Sequence, residues 1–334
     1  MKKYNIAVVG ATGMVGGKFL QVLEERNLPV ENYYLFASSK SAGKKIKFFG
    51  KDYTVLELNE ENIKAHKIDI ALFSAGASTS KEFAPIFAAN NTIVVDNSSC
   101  WRMDKDVPLV VPEVNPQDIE WNKGIIANPN CSTIQAVVAL KPLYDAFGIK
   151  RIVYSTYQAV SGAGRQGYLD LVDGSKGDAP KKFPYPIYGN IIPHIDVFLD
   201  NGYTKEEEKM INETRKILGD QSLKITATTA RVPVTFGHSE SINVEFKKPC
   251  TLEGVKNALK NGKGIILQDD VSNNVYPMPL LTADTDPVYV GRVRLDESID
   301  SGVNLWVVAD NIRKGAATNA VQIAQLLINK WEKN

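Results

Sequence analysis

The residues able to do nucleophilic chemistry are few: the 334-residue chain has three cysteines and three histidines. Cys131 stands apart by its context. Ile125-Ile126-Ala127 reads as a short buried strand, Asn128-Pro129-Asn130-Cys131-Ser132-Thr133 follows it, and Ile134, Val137 and Val138 mark the apolar face of a helix. A cysteine at a helix N-terminus meets unpaired N–H groups and the positive end of the helix dipole, which favour the thiolate. Cys100 and Cys250 lack that setting and read as inert thiols. An activated thiol also needs a proton acceptor. His66, inside the charged stretch Glu60 to Lys67, reads as solvated surface, and His194, in Ile191-Ile192-Pro193-His194-Ile195-Asp196, as a structurally bonded turn residue. His238 lies in Arg231-Val232-Pro233-Val234-Thr235-Phe236-Gly237-His238-Ser239-Glu240. The arginine there offers a planar fork for a carboxylate, which tips the choice toward His238. No residue cluster has metal-ligand spacing, and no metal is expected.

These groups must be held by regular elements. Ile6-Ala7-Val8-Val9 is an apolar run suited to a buried parallel strand, and it leads through Gly10-Ala11-Thr12-Gly13-Met14-Val15-Gly16 into a helical pattern. Strand, glycine turn and helix are the setting of a dinucleotide-binding loop, in which the backbone approaches a pyrophosphate at the helix N-terminus. The second strand, Tyr33 to Ala37, ends in Ser38-Ser39-Lys40-Ser41-Ala42-Gly43-Lys44. An NAD enzyme usually places an acid there for the ribose 2′-hydroxyl; hydroxyls and a lysine suit a 2′-phosphate instead, so NADP is expected. Strands Ile68–Phe73 and Thr92–Asp96 end in Ser74-Ala75-Gly76 and Asn97-Ser98-Ser99, further candidate contacts at the carboxyl edge of a parallel sheet. A second glycine-rich loop, Gln158-Ala159-Val160-Ser161-Gly162-Ala163-Gly164, follows the strand Ile152–Tyr157 and can also approach the cofactor.

Composition narrows the classes. A formal net charge of +1 gives no reason to expect nucleic acid or a membrane surface as partner. No apolar run is long enough to span a bilayer. Met1-Lys2-Lys3-Tyr4-Asn5 leads directly into the first strand without the layout of a signal peptide, and three irregularly spaced cysteines do not make a disulfide scaffold. A cytoplasmic location is expected. The length suggests two domains. The fold expected is α/β: a Rossmann-like, doubly wound parallel sheet plus an α+β substrate and dimerisation domain with a mixed sheet. The boundaries expected are 1–130 plus 311–334 for the cofactor domain and 131–310 for the other. The apolar positions Ala317, Ala320, Val321, Ala324, Leu327 and Ile328 form a final helix that returns to the first domain.

Taken together, the glycine turn from Gly10 to Gly16, Asn128 to Thr133, Gln158 to Gly164, Arg231 to Val234 with His238, and Asp310-Asn311-Ile312-Arg313-Lys314-Gly315-Ala316-Ala317 resemble the aspartate-semialdehyde dehydrogenase family across essentially the whole chain. That resemblance implies reversible, NADP-dependent reductive dephosphorylation of 4-aspartyl phosphate to aspartate 4-semialdehyde, in the pathway to lysine (through diaminopimelate), threonine and methionine. It implies Cys131 as the nucleophile that carries a thioester, His238 as acid–base and Gln158 as the residue orienting the acyl group. Arg231 would bind the substrate α-carboxylate, Glu206 and Lys209 the amino group and phosphate, and Arg102 with Asn130 the phosphate. Ser161, Gly162 and Asn311 would contact cofactor, and the enzyme would be a homodimer, with a dimer of dimers open. The nearest rival, N-acetyl-γ-glutamyl-phosphate reductase, shares the thiol and the acyl phosphate, but Asn130 before Cys131 and Ser132-Thr133 after it favour the aspartate enzyme. A short-chain reductase would need a Tyr-x-x-x-Lys pair, which the sequence lacks. A non-enzymatic NADP sensor would have no reason to keep Cys131, Gln158, Arg231 and His238 together.

Overall fold

The computed structural model describes residues 2–333; Met1 and Asn334, the ends of the expected domain boundaries, lie outside the described residues. The chain forms two compact units, Met1–Pro129 with Ala316–Asn334, and Asn130–Gly315. Asn130 and the segment 311–315 thus belong to the second unit, for reasons visible in their hydrogen bonds below.

In the first unit, β1 (Tyr4–Val9), β2 (Val30–Ala37), β5 (Leu56–Glu57), β6 (Ile70–Phe73), β7 (Ile93–Asp96) and β8 (Ile125–Ala127) form one sheet in the order β5-β2-β1-β6-β7-β8. Every pairing in it is parallel. Ile6, Ala7, Val8 and Val9 are fully buried, as expected of a parallel strand covered on both faces. A hairpin of β3 (Lys45–Phe48) and β4 (Lys51–Thr54) stands beside this sheet in sequence. Helices α1 (Met14–Arg26), α2 (Glu60–Lys64) and α3 (Ala77–Ala89) connect the strands. The final helix, α9 (Thr318–Lys333), buries Ala320, Val321, Ala324, Leu327 and Ile328 in one core with Phe19, Leu23, Ile6 and Val8. The 3.6-residue spacing of its apolar positions dictates that burial. The chain runs from β1 outward to β2 and then back to β6 on the other side of β1, so the strand order reverses between β1 and β6. A ligand cleft forms at such a reversal, at the carboxyl ends of the strands.

In the second unit, β9 (Ile149–Gln158), β10 (Lys224–Arg231), β11 (His238–Phe246), β12 (Ile265–Leu267), β13 (Val288–Leu295) and β14 (Gly302–Ala309) form a sheet in the order β10-β9-β11-β14-β13-β12. It is mixed: β10–β9 and β12–β13 are parallel, the other pairs antiparallel. Helices α4 (Cys131–Phe147), α5 (Gly164–Gly174), α6 (Lys205–Leu218), α7 (Leu252–Lys260) and α8 (Pro279–Thr282) complete it. Helices α4 and α6 pack on each other, α4 also on β9, β11 and β14 and α6 on β10. The α/β class with one parallel and one mixed sheet is the expected one. Among the described residues no helix is long and apolar enough to cross a membrane.

Candidate active site

The glycine turn builds the cofactor end of the first unit. Gly10 has φ +86°, and a Cβ there would stand 2.4 Å from the Ser74 carbonyl oxygen; a Cβ on Gly16 would stand 2.1 Å from that of Gly10. Only glycine permits β1, the turn and α1 to pack this closely. Gly13 caps α1 without a side-chain hydrogen bond, and no acid occupies the first turn, so the helix N-terminus is open to an anion. A cavity of about 430 Å³ lies there, lined among others by Gly10, Thr12, Gly13, Ser38, Ser39 and Ser74. The cradle fits a dinucleotide. Met14, Val15, Gly16, Lys40, Ser41, Ala42, Gly76 and Asn97 do not line the cavity. Met14, Val15 and Gly16 begin α1, Lys40 and Ser41 form a 3-10 turn with Ala42 at its end, and Gly76 caps α3.

Glu57 and Phe83 also line the cavity, and sequence reading missed both. Glu57 matters because an acid does stand near the end of β2, carried by the neighbouring strand β5 (Ala37 pairs with Glu57). Strand adjacency is not visible in local sequence. Arg102 is buried in the same unit, its Nε donating to the Asn128 carbonyl and its Nη2 to the Asn97 carbonyl, both at 3.0 Å. The Asn128 side chain donates to Asn97 Oδ1 at 2.8 Å, so Asn97 supports Arg102.

The second unit holds the thiol. Cys131 is the first residue of α4, and the Asn130 side chain caps that helix by accepting from the N–H groups of Ser132 (3.0 Å) and Thr133 (3.3 Å). Asn130 also donates its own N–H to Glu213 Oε2 at 2.7 Å and its amide to Glu206 Oε1 at 2.9 Å, which ties it to α6. The Cys131 sulfur lies 3.2 Å from His238 Nε2. The strands explain this convergence: Gln158 ends β9, Arg231 ends β10 directly opposite it, and His238 begins β11 beside them. His238 is therefore a strand residue, and the chain's fold brings Cys131, Gln158, Arg231 and His238 to one sheet edge under the start of α4.

Three consecutive glutamates on α6 have three different tasks. Glu207 closes a capping box with Thr204 and accepts from the Thr229 N–H at 2.9 Å. Glu208 bonds Asn201 and Asn212. Glu206 alone reaches the thiol site, accepting from Asn130, from Gln158 (3.3 Å) and from Lys209 (3.1 Å). Burial pushes the Glu206 carboxyl up, but the Lys209 charge, the bonds from Asn130 and Lys209 and the Arg231 charge outweigh it and hold the group below the ordinary range. Lys209 also pairs with Asp196 at 2.7 Å. Burial lowers its affinity for the proton, yet the two carboxylates prevail and raise it.

Arg231 donates Nη1 to the Ala159 carbonyl at 2.8 Å and lies over the Phe183 ring at 5.8 Å. Asn311 joins Ser161 and the Gly237 N–H (2.9 Å), which holds the segment leading into His238 and explains why 311 goes with this unit. A Cβ on Gly162 would fall 2.8 Å from Arg231 Nη1 and 3.2 Å from His238 Cε1, so that loop lies directly against both side chains. Gly315, which sequence reading did not single out, packs against the thiol residue: a Cβ there would stand 2.8 Å from that of Cys131. The other histidines are elsewhere. His66, read as solvated surface, is half-buried and stacks on Tyr34 at 4.4 Å, and His194, read as a structurally bonded turn residue, stacks on Phe198 at 4.6 Å. Tyr34 lies far from His66 in the chain, on β2, whereas Phe198 follows His194 within the same loop. Cys100 is held above the ordinary thiol range by burial and the Asp96 charge. Among the described residues no group of His, Cys, Asp and Glu could hold a metal ion.

A parallel sheet with a glycine turn, joined in sequence to a mixed sheet bearing a thiol–imidazole pair, defines the semialdehyde dehydrogenase class, and two family models match: the semialdehyde dehydrogenase NAD binding domain over residues 5–122 and the dimerisation domain over residues 140–314. The chain is 58% identical to the aspartate-semialdehyde dehydrogenase of Aquifex aeolicus, with 98% of each covered. It is 49% identical to the crystal structure of aspartate semialdehyde dehydrogenase II from Vibrio cholerae, at a TM-score of 0.94 over 98% of this chain and 99% of that one, and matches equally a structure of that protein complexed with ASA. A 29% identical enzyme from Candida albicans, with NADP, aligns at 0.77 over 98% of each chain. The chain belongs to the aspartate-semialdehyde dehydrogenase family.

Proposed function

We propose that the protein interconverts 4-aspartyl phosphate and aspartate 4-semialdehyde with NADP(H), through an acyl group held on Cys131, in the cytoplasmic synthesis of aspartate-derived amino acids. The observation that carries this reading is the Cys131 sulfur at the start of α4, 3.2 Å from His238 Nε2. A thiolate there attacks the acyl phosphate carbon, phosphate leaves, and the resulting thioester keeps the acyl group activated for the reverse attack by phosphate. Bound nicotinamide supplies or accepts the hydride. Cys131 holds the acyl group meanwhile, His238 serves the proton needs of the sulfur and the acyl oxygen, and Gln158, buried beside them, orients the acyl group.

Arg231 is the fixed cation for the α-carboxylate, and Glu206 with Lys209 take the amino group and phosphate. Arg102 and Asn130 are assigned to phosphate, and the Gly10–Gly16 turn, Ser38 to Ala42, Ser74, Gly76, Asn97, Ser161, Gly162 and Asn311 to the cofactor. Preference for NADP rests on Ser38, Ser39 and Lys40. A homodimer is supported by a groove of about 630 Å³ lined by Tyr157, Tyr276, Met278 and Trp306, on the face of the mixed sheet opposite Gln158 and His238. The test is phosphate-dependent reduction of NADP with aspartate semialdehyde, beside N-acetylglutamate semialdehyde and beside NAD. A preference for the acetylated aldehyde would overturn the substrate, and equal efficiency with NAD the cofactor.

A further inference from the structure

We propose that Glu240 is a positioning residue of the thiol site: as a neutral acid it donates its proton to the Gln135 side-chain oxygen and so holds helix α4, which carries Cys131, in register on strand β11, which carries His238. The inference rests on the acyl-transfer reading above for its catalytic meaning and leaves His238 as the acid–base.

Helix and strand run side by side in the same direction. At one end the Cys131 sulfur lies 3.2 Å from His238 Nε2. At the other, Phe147, the last residue of α4, packs on Phe246, the last of β11, with ring centroids 5.2 Å apart. Gln135 stands one helical turn beyond the thiol, a rise of about 6 Å. Glu240 stands two residues beyond the imidazole, a rise of about 7 Å. The two therefore come abreast, and strand alternation puts Glu240 on the face that carries His238. Both are fully buried.

The Gln135 amide is oriented by its own contact. Its Nε2 donates to the His238 carbonyl oxygen at 3.2 Å. A carbonyl only accepts, so the amide cannot be turned over, and Oε1 is the atom left for another partner. Among the described residues none donates to that oxygen or to either oxygen of Glu240. The buried hydroxyls of Ser132, Thr133 and Thr229 serve none of the three. Of the cross-strand neighbours of Glu240, Thr156 is bonded to Gln158 and Val307 is apolar. The hydrogen that can satisfy both side chains is the one a neutral Glu240 carries.

The ionisable side chains on the elements packed around Glu240 are Tyr154 on β9, Arg231 on β10, Glu206 and Glu207 on α6, Cys131 on α4 and His238 on its own strand; β14 has none. Burial first, and then the Glu206 charge, push the Glu240 pKa well above the ordinary carboxyl value, which keeps the proton in place. The chain of bonds then runs from the Glu240 O–H to the Gln135 amide and from that amide to the His238 carbonyl. It ties α4 to the very residue whose ring meets the sulfur. A slip of about an ångström between helix and strand would misplace the thiol on the imidazole.

The test compares Glu240→Gln with Glu240→Met in the whole protein. The two replacements are close in size, and only glutamine keeps a donor. Expected in Glu240→Gln are a kcat and a rate of Cys131 alkylation by iodoacetamide within about twofold of the parent. Glu240→Met, folded by its unfolding curve, should keep KM within about twofold and lose kcat by about ten- to a hundredfold, with Cys131 alkylation changed by more than about threefold. Gln135→Met should reproduce that loss, and the double Met variant should be no worse than either single one. Parent-like behaviour of Glu240→Met, an equal loss in Glu240→Gln, or additive losses in the double variant would overturn the proposal. Should Glu240→Met not fold, infrared spectroscopy of the parent at neutral pH decides. The carboxylic-acid C=O band that Glu240→Gln removes should be present and should shift in Gln135→Met; its absence, or no shift, overturns the proposal. Alkylation and the infrared band do not use turnover, so failure of the substrate assignment would leave them interpretable.

Discussion

Glu240 offers a perturbation whose size follows from burial alone. Its side chain is fully buried on β11, on the same sheet face as His238, and neither carboxyl oxygen accepts a hydrogen bond among the described residues. Burial, with a smaller contribution from the Glu206 charge, pushes its pKa well above the free value of 4.5. The sign is fixed by that direction. A carboxyl whose pKa is raised on folding contributes its full stability below the unfolded value and loses it as pH rises toward the folded one. Each pH unit above 4.5 over which the native protein keeps the proton costs about 1.4 kcal/mol. The ceiling at pH 7 is therefore about 3 kcal/mol. Glu240→Gln keeps the shape of the protonated acid and removes that cost. We expect the variant to gain stability relative to the parent as pH rises from 4 to 7, by up to about 3 kcal/mol. At roughly 2–4 °C per kcal/mol for a unit of this size, its melting temperature should rise by up to about 10 °C relative to the parent. Any fixed difference between a carboxylic acid and an amide displaces all points equally and leaves the pH dependence intact. The assay is thermal unfolding of both proteins across that range. A difference that stays flat with pH, or falls as pH rises, would refute the reasoning.

Other consequences are as direct. Gly315→Ala places a methyl 2.8 Å from the Cys131 Cβ; displacement of the thiol should lower kcat by about a hundredfold, measured in steady-state assays beside an unfolding curve. Arg231→Lys exchanges a planar fork for a point charge, and kcat/KM for the aldehyde should fall by about ten- to a hundredfold, chiefly through KM. Glu57 lines the cofactor cavity together with Ser38 and Ser39. Glu57→Gln removes an anion from the region assigned to the 2′-phosphate and should shift the NADP-to-NAD preference in favour of NADP by about twofold to fivefold, while Lys40→Ala shifts it the other way. Unchanged ratios of kcat/KM for the two cofactors in both variants would remove these residues from cofactor selection.

Much of this architecture is written in local sequence. Parallel strands reveal themselves as unbroken apolar runs such as Ile6–Val9, and the 3.6-residue spacing in α9 shows which face is buried. The helix start at Cys131 follows from the strand before it and the apolar face after it. Local patterning does not carry information about which strands become neighbours. Glu57 therefore went unnoticed, because its position beside Ser38 depends on β5 pairing with β2. The resemblance picks Glu206 out of three adjacent glutamates, but their different tasks emerge only from contacts: the Thr204 cap commits Glu207 to the backbone, while Glu206 accepts from Asn130, Gln158 and Lys209. Histidine environments were the least legible. The stacking of His66 on Tyr34 and the Ala159 N–H that His238 accepts arise from contacts between segments far apart in the chain, and the stacking of His194 on Phe198 depends on the path of an irregular loop.

The central claim is that the acyl group resides on Cys131. It is tested most directly by mixing the enzyme with aspartate semialdehyde and NADP in the absence of phosphate, following NADPH absorbance and sequencing the modified peptide by mass spectrometry. The account predicts a burst of one NADPH per active site, an acyl adduct on Cys131 released by added phosphate, and neither in Cys131→Ala. A full burst in Cys131→Ala, or an adduct on any other residue, would contradict it.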